Sequence, residues 1–449
     1  MEPGDATPRD PSVVDLVTDA EAALGRGDPA AAFVDLGRAG DRVLAAAAAA
    51  GAAGGAGAAI AAIVTDDGLG RLATAYATAA RHVGDHDRVI AWIEQILPAA
   101  VEPRLIATLL RARIWLWSRL DTQRVLDLEP EARAAAEAVG DDETLASVLA
   151  TAAFAAYRRG DVRRCKSLAE RASALATTSH AAHYQAVRAQ LFAATAAGEL
   201  EATLAHSMKA RALARGLGRT SDIANESNNL AETYLELGQP YEARACAETA
   251  AKLSREVGHV ANEATARVFS AMATAEAGDI DGALEQLAAV PELEQYPLVV
   301  IDTACAHAYW LLERGAAGDA ARARERAAAG LALAERTGTA HRLTALHASL
   351  ARAHAREADD VAAREQLEHA RRGSDRVEPS AHSLLALAAA EVLAASDTAR
   401  SVILGAARVR ILRTAARRED PHAFCVNVRH NRRLLELTGG VPADLPHGS

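Results

Sequence analysis

Lysine is almost missing from this chain of 449 residues: Lys166, Lys209 and Lys252 are the only three, and the rest of the positive charge is arginine. The formal net charge is −10, so the chain carries no general electrostatic footprint for DNA or RNA, and direct nucleic-acid binding is not expected. Aromatic residues make up 4% of the chain, so small and aliphatic side chains must fill the core. The four cysteines, Cys165, Cys246, Cys305 and Cys425, lie far apart and form no Cys-x-x-Cys pair. That argues against a disulfide framework and a zinc ribbon, and fits reduced, buried thiols in a cytoplasmic protein. No Gly-Lys dipeptide occurs, so the lysine that reaches phosphates in a nucleotide-binding loop is missing. The His-Glu-x-x-His metal motif is also absent. No stretch shows the period-two alternation of a strand, which leaves an all-α chain.

What is present is alanine, helical periodicity and a regular rhythm of turns. The stretch from Asn225 to Val257 sets the pattern. Leu230, Tyr234 and Leu237 fall at helical spacing before Gly238-Gln239-Pro240, and Ala243, Ala247, Ala250 and Leu253 follow on one face of a second helix. Similar turns stand at Gly160-Asp161, Gly198-Glu199, Gly278-Asp279 and Gly318-Asp319, so the glycine spacings from 160 to 318 are 38, 40, 40 and 40. Gly27-Asp28, Gly84-Asp85, Leu120-Asp121, Ala358-Asp359 and Ser396-Asp397 extend the rhythm in both directions. Glycine accepts the left-handed conformation that ends one helix, and the aspartate beside it can cap the next. Helix pairs of this kind bury their apolar faces by stacking on one another into a solenoid.

With Leu230-Ala231-x-x-Tyr234, Gly238, Ala243 and Ala250 in place, the chain resembles the tetratricopeptide repeat family over about residues 12–437. The period near 40 is longer than the minimal repeat. It is more similar to the long-helix repeats in the sensor regions of maltose-regulator-type bacterial transcription activators, which also occur in bacterial peptide-sensing regulators. The resemblance departs from the pattern at Thr203, where a small residue is expected, and at Leu120, where glycine is expected. It implies a right-handed superhelix of about nine or ten antiparallel helix pairs.

Taken in order, residues 1–11 should be a disordered arm without the regions of a signal peptide. Residues 12–437 should form one continuous solenoid. Within it, the uncharged Ala/Gly-rich run 44–64 is long enough to span a bilayer but weakly apolar, and is expected to be a helix end, a loop around Gly51–Gly57 and a new helix start. Residues 291–297 could form a weak hinge. The arginine-rich segment 399–437 should be a capping element, with Val402, Ile403, Leu404, Val409, Ile411 and Leu412 on its apolar face, or a docking site for an acidic partner. Residues 438–449 should be a disordered tail.

Chemistry is sparse. His347 and His354 share a helix face, but they stand where the resembled repeat packs an aromatic ring, so a metal is not expected. His422, Cys425 and His430 cluster, yet Cys425 and His430 are five apart on a helix and face different ways. No catalytic residue, cofactor or metal is therefore assigned.

The resemblance implies a ligand in the concave groove, lined by the first helix of each pair. Counting back from the turns places Asn225, Asn228 and Glu232 there from the central pair. The preceding pairs would add Arg188 and Phe192, then Phe154, Tyr157 and Arg158, and further upstream Trp117, Arg81 and Arg71. Asparagine amides can pair with a peptide backbone, arginine can clamp a carboxylate, and aromatic rings offer contact area. Each of these residue types also occurs as a solvated surface or packed core residue. The expected function is a non-catalytic, regulatory scaffold for a protein or peptide partner, with no membrane span. The alternatives are a peptide or small-molecule sensor acting on transcription through a partner, and an enzyme on a helical-repeat scaffold. Changing Asn228 and Arg188 to alanine is expected to weaken a partner without unfolding the chain.

Overall fold

The computed structural model describes residues 10–50, 55–373, 379–418, 420–443 and 445. Among them every regular element is helical. The chain opens with α1 (Val13–Gly25), α2 (Pro29–Ala49) and a short α3 (Ala56–Ala61). Helices then alternate with few interruptions: α4 (Asp66–Val83), α5 (His86–Ile96), α6 (Pro103–Trp117), α7 (Thr122–Val139), α8 (Asp142–Arg158) and α9 (Val162–Ser173). The central run is α10 (His180–Ala197), α11 (Leu200–Gly216), α12 (Thr220–Glu236), α13 (Pro240–Glu256), α14 (Val260–Glu276) and α15 (Ile280–Ala288). The last part comprises α16 (Pro297–Arg314), α17 (Asp319–Arg336), α18 (Leu343–Arg356), α19 (Asp360–Gly373), α20 (Pro379–Val392), α21 (Thr398–Ala415), α22 (Pro421–Asn427) and α23 (Arg429–Leu437). From α4 onward consecutive helices pack side by side, and alternate helices such as α12 and α14 also touch. The chain is an all-α solenoid of stacked helix pairs.

Local chemistry accounts for the boundaries. Ser12 and Asp15 form a reciprocal capping box at the start of α1. Asp28, Asp161 and Asp279 each accept an amide three residues on, at 3.0, 2.9 and 2.9 Å. Asp319 departs from this pattern: it lies inside α17 and holds Arg314 in a two-point ion pair, at 2.7 and 2.8 Å. The turns between pairs are marked too: Gly140, Gly218, Gly258 and Gly338 all have positive φ, like the turns within pairs. Gly218, Gly238, Gly258 and Gly278 thus fall evenly, one helix apart. Of the predicted stripe, Ala243 and Ala247 are fully buried with Leu230 and Phe269 of the flanking helices, Ala250 is also buried, and Leu253 is half-buried.

The solenoid also closes on itself. The α1–α2 turn lies against the end of α13, where Gly27 and Gly258 leave room for Glu256 and Pro29 to meet the opposite backbone. The rings of His82 and His259 meet at 4.5 Å, tilted by 38°. Tyr296 donates its hydroxyl to the carbonyls of His82 (2.8 Å) and Arg81 (3.1 Å), a link across 215 residues of sequence. Thr122 donates through its hydroxyl to Gly338 O at 3.1 Å. The connection before α16 is therefore pinned, with Leu293 and Tyr296 buried, and is not the hinge its prolines suggest.

The C-terminal segment turns inward. Asn427 donates to Gly238 O (3.1 Å), and the Arg429 amide donates to Glu276 (3.1 Å). Arg429 and Arg433 both pair with the buried Glu313, at 2.7 and 3.0 Å, and Arg418 pairs with Glu201. Three of its arginines thus meet carboxylates of its own chain. Val402 and Val409, assigned above to its apolar face, are exposed. Beyond α23, Arg408 holds Gly440 O at 2.8 Å. Residues 1–9 of the expected arm, 51–54 of the Ala/Gly run, and 444 and 446–449 of the expected tail lie outside the described residues. No helix among the described residues is long and apolar enough to cross a membrane.

Candidate functional site

The first helices of successive pairs face one another across the closed superhelix. Between them lies a cavity of about 1270 Å³, a volume that includes the space at its open mouth. Its lining comes mainly from α4, α6, α8, α10, α12, α14 and α16. The structure brings Arg81, Phe154, Tyr157, Arg158, Arg188, Phe192, Asn225, Asn228 and Glu232 into this one lining. Two of the residues assigned to the groove lie elsewhere. Arg71 points along α4 to Glu21 of α1, where its Nε donates at 3.2 Å. Trp117 is half-buried between core clusters, with Arg124 over its ring at 5.8 Å. The helical offset explains the error, because Trp115, two residues earlier, takes the lining position.

One wall is aromatic. Phe154 and Phe192 approach to 5.1 Å, and Tyr157 stacks on Phe192 at 6.2 Å. His341, from the loop before α18, braces Tyr157 from behind at 5.4 Å. Phe154 is half-buried while Tyr157 and Phe192 are nearly covered, so Phe154 is the ring with most surface left to offer.

Arginines surround these rings. Arg119 and Arg158 stand over Phe154 at 5.9 and 5.7 Å, and Arg188 over Phe192 at 5.7 Å. Arg81 lies on Trp115 at 4.1 Å and donates to Trp115 O (3.0 Å) and Ser118 Oγ (3.3 Å). Burial and the repulsion of Arg119 and Arg188 push the Arg81 guanidinium well below its ordinary range. Burial, with Arg188 and Arg158 beside it, lowers Arg119 to about 10. Two of the four have carboxylate partners. Arg158 and Arg342 share Asp302, at 3.5 and 2.8 Å, and Arg342 also holds Glu232 at 2.7 Å. Burial alone would raise the Asp302 carboxyl, but the two arginines hold it below the usual range.

Arg188 has a structural duty. Its Nε lies 3.1 Å from Glu226 Oε1, a close ion pair although not an aligned hydrogen bond. Glu226 has no exposed side-chain surface and also accepts from Tyr184 (3.0 Å) and Asn229 (2.8 Å). Replacing Arg188 by alanine would leave that carboxylate buried without its counter-charge, so the substitution is not the neutral probe its sequence position suggests.

The amide side chains come from α12 and α14. Asn228 donates to Asn262 O at 3.0 Å, and its own Oδ1 has no partner among the described residues. Asn225, Asn229 and Asn262 complete the set. The lining includes no histidine, cysteine or lysine among the described residues. It offers hydrogen bonds, ring faces and positive charge.

Sequence reasoning missed Arg119, Asn229, Asn262, Phe269 and Asp302. Two signals could have found them. Arg119 stands one residue before the Leu120-Asp121 turn, close to where Arg158 stands before Gly160. Asn262, Phe269 and Asp302 lie on first helices of the pairs after the central one, to which the same counting extends.

The other candidates disperse. His347 bonds Gln366 at 2.8 Å and stacks on His369 at 5.1 Å, while His354 faces Asp359 at 3.5 Å. No group of three or more His, Cys, Asp or Glu among the described residues is placed to hold a metal ion. Cys425 is buried, and burial raises its thiol to about 11, so it is not an activated nucleophile. Cys305, expected to be buried, is half-exposed.

No protein-family model matches the chain, and no curated protein matches it. Among solved structures it is similar to NprR in complex with its cognate peptide NprX, at 14% identity and a TM-score of 0.46, over 72% of this chain and 97% of that one. It is similar to the apo form of the quorum sensor NprR from B. thuringiensis, at 13% identity and a TM-score of 0.44, over 71% and 98%. It is also similar to a Rap protein complexed with Competence and Sporulation Factor, at 13% identity and a TM-score of 0.47, over 81% and 99%. These are likenesses of helical architecture. The class defined by the fold is an α-solenoid of stacked helix pairs, with a polar and aromatic cavity lined by the first helices of the pairs.

Proposed function

We propose that this protein is a non-catalytic regulator that binds a short peptide, or a peptide segment of a partner protein, inside its superhelix, with residues 12–437 acting as one body in the cytoplasm. The observation that carries the reading is the cavity and its lining. The lining joins Asn225, Asn228, Asn229 and Asn262 to the rings of Phe154, Tyr157 and Phe192. Its amides can pair with main-chain N–H and C=O groups, while Phe154 and its neighbours take side chains. Closure of the solenoid favours a short chain over a folded partner, because the site is reached through a mouth. The four cysteines are free, which supports a reducing compartment.

On a second reading, the long repeat period resembles the sensor regions of maltose-regulator-type activators, and an occupied cavity would be reported to a transcription partner. Both readings share the site and differ in what receives the signal.

The test is thermal melting of the full chain in the presence of pooled short synthetic peptides, with single amino acids and monosaccharides as controls. A pool containing a ligand at about a hundred times its Kd should raise stability by about 2.7 kcal/mol. No shift with any peptide pool, alongside a shift with a monosaccharide or amino acid, would replace the peptide reading with a small-molecule one.

A further inference from the structure

Four arginines line the cavity, and two of them lack a carboxylate partner among the described residues. Arg158 and Arg188 have carboxylates, Asp302 and Glu226. Arg81 and Arg119 form no ion pair with a carboxylate among the described residues, although both line the cavity. Asp222 and Asp302 act on them only at longer range. Arg81 is 7% exposed and spends its hydrogen bonds on the end of α6, the helix that leads into Arg119. Arg119 stands over Phe154 at 5.9 Å, with Arg158 over the same ring at 5.7 Å. Buried or partly buried guanidinium groups without a carboxylate of their own, such as Arg81 and Arg119, repel one another. An arrangement of this kind is relieved by a bound anion, and the planar fork of Arg119 is suited to accept one at two points.

Acids of the lining are already engaged: Asp302 pairs with Arg158 and Arg342, and Arg342 also holds Glu232.

We propose that the space beside Arg119, between Arg81, Arg158 and the face of Phe154, is a carboxylate subsite that receives the acidic group of the bound peptide. The subsite deepens the peptide-binding reading and rests on it. The carboxylate is either the C-terminus of the peptide or an Asp or Glu side chain, and the two share one chemistry.

The experiment uses the full chain and four synthetic pools of the same random core. One has a free C-terminal carboxylate and no Asp or Glu. One is amidated and neutral. One is amidated with a single Asp. One is amidated with a single phosphoserine. Captured peptides are quantified by mass spectrometry for the wild type, Arg119→Gln and Arg119→Lys, each with its melting temperature recorded. The wild type should retain one or both carboxylate pools about tenfold or more over the neutral one. Arg119→Gln should erase that preference while still retaining peptide, and Arg119→Lys should restore part of it. The carboxylate pool retained identifies the source.

Equal retention of neutral and acidic pools would overturn the subsite and leave peptide binding intact, and so would persistence of the preference in Arg119→Gln. A tenfold preference for phosphoserine over both carboxylates would overturn the carboxylate assignment. If no pool is retained, melting in succinate and in inorganic phosphate decides. Stabilisation by succinate that is lost in Arg119→Gln would keep the subsite while the peptide reading falls, and no such stabilisation would remove both. If Arg119→Gln melts far below the wild type, Arg119→Lys carries the comparison, and an unchanged preference in it with unchanged succinate response would count against the subsite.

Discussion

Arg188 and Glu226 show how one residue can serve both the cavity and the frame around it. Glu226 is fully buried, and burial raises its carboxyl despite the nearby guanidinium. Tyr184 donates to it from a position with no exposed surface, so the group is locked into the α10–α12 contact. Removing Arg188 alone should therefore cost about 3–5 kcal/mol, the usual penalty for stranding a buried charge. Arg188→Ala should lower the melting midpoint strongly, and Arg188→Met with Glu226→Gln should recover most of the loss. Chemical denaturation of both variants checks this. A single variant as stable as the wild type would show that the pair is not needed for folding. The residue types Asn, Arg and Phe at the groove positions were legible in the sequence. Their pairing was not, because Glu226 meets Arg188 from a neighbouring helix and Asp302 meets Arg158 across 144 residues of chain.

At the scale of the element, the turns carry the information. The glycine rhythm predicted helix pairs and their order, because positive φ at Gly160, Gly198, Gly238 and Gly278 is what a helix-ending turn requires. What the rhythm could not tell is which turns also make long-range contacts. Gly27 and Gly140 have similar φ values, +77° and +69°. A Cβ on Gly140 would meet nothing within 4 Å, whereas a Cβ on Gly27 would fall on the Glu256 carbonyl, which belongs to backbone and cannot rotate away. Both alanine variants bear the strain of a left-handed residue, and Gly27→Ala adds an overlap worth roughly 1–3 kcal/mol. The difference between their unfolding free energies should show it. Equal losses would mean that the α1–α2 turn does not press on α13 in solution. The segment 291–297 teaches the same lesson: its two prolines read as a loose joint, and Tyr296 between them turns out to be a fastener.

For the whole molecule, closure of the superhelix decides what kind of site the concave face becomes. Tyr296 on α4, Thr122 on the loop before α18, and Asn427 on the α12–α13 turn each join parts of the chain far apart in sequence. Leu200 and Glu236 line both the main cavity and a smaller space of about 310 Å³ beneath the C-terminal segment. That segment therefore packs behind the cavity wall at Leu200 and Glu236 without lining the cavity itself. Such contacts depend on the accumulated rotation of many helix pairs, which no local pattern encodes. The repeat could be read from the sequence, while the enclosure it produces could not.

The measurement that tests this account most directly is peptide capture from the pooled library by wild type, Thr265→Trp and Val361→Trp. Thr265 lines the cavity on α14, and a tryptophan there would fill part of it. Val361 is 81% exposed on α19 and is absent from the lining. With all three proteins showing matched helix content, the account predicts that Thr265→Trp loses the captured peptides and Val361→Trp retains them. Retention by Thr265→Trp at the wild-type level would place the binding surface outside the superhelix and contradict it.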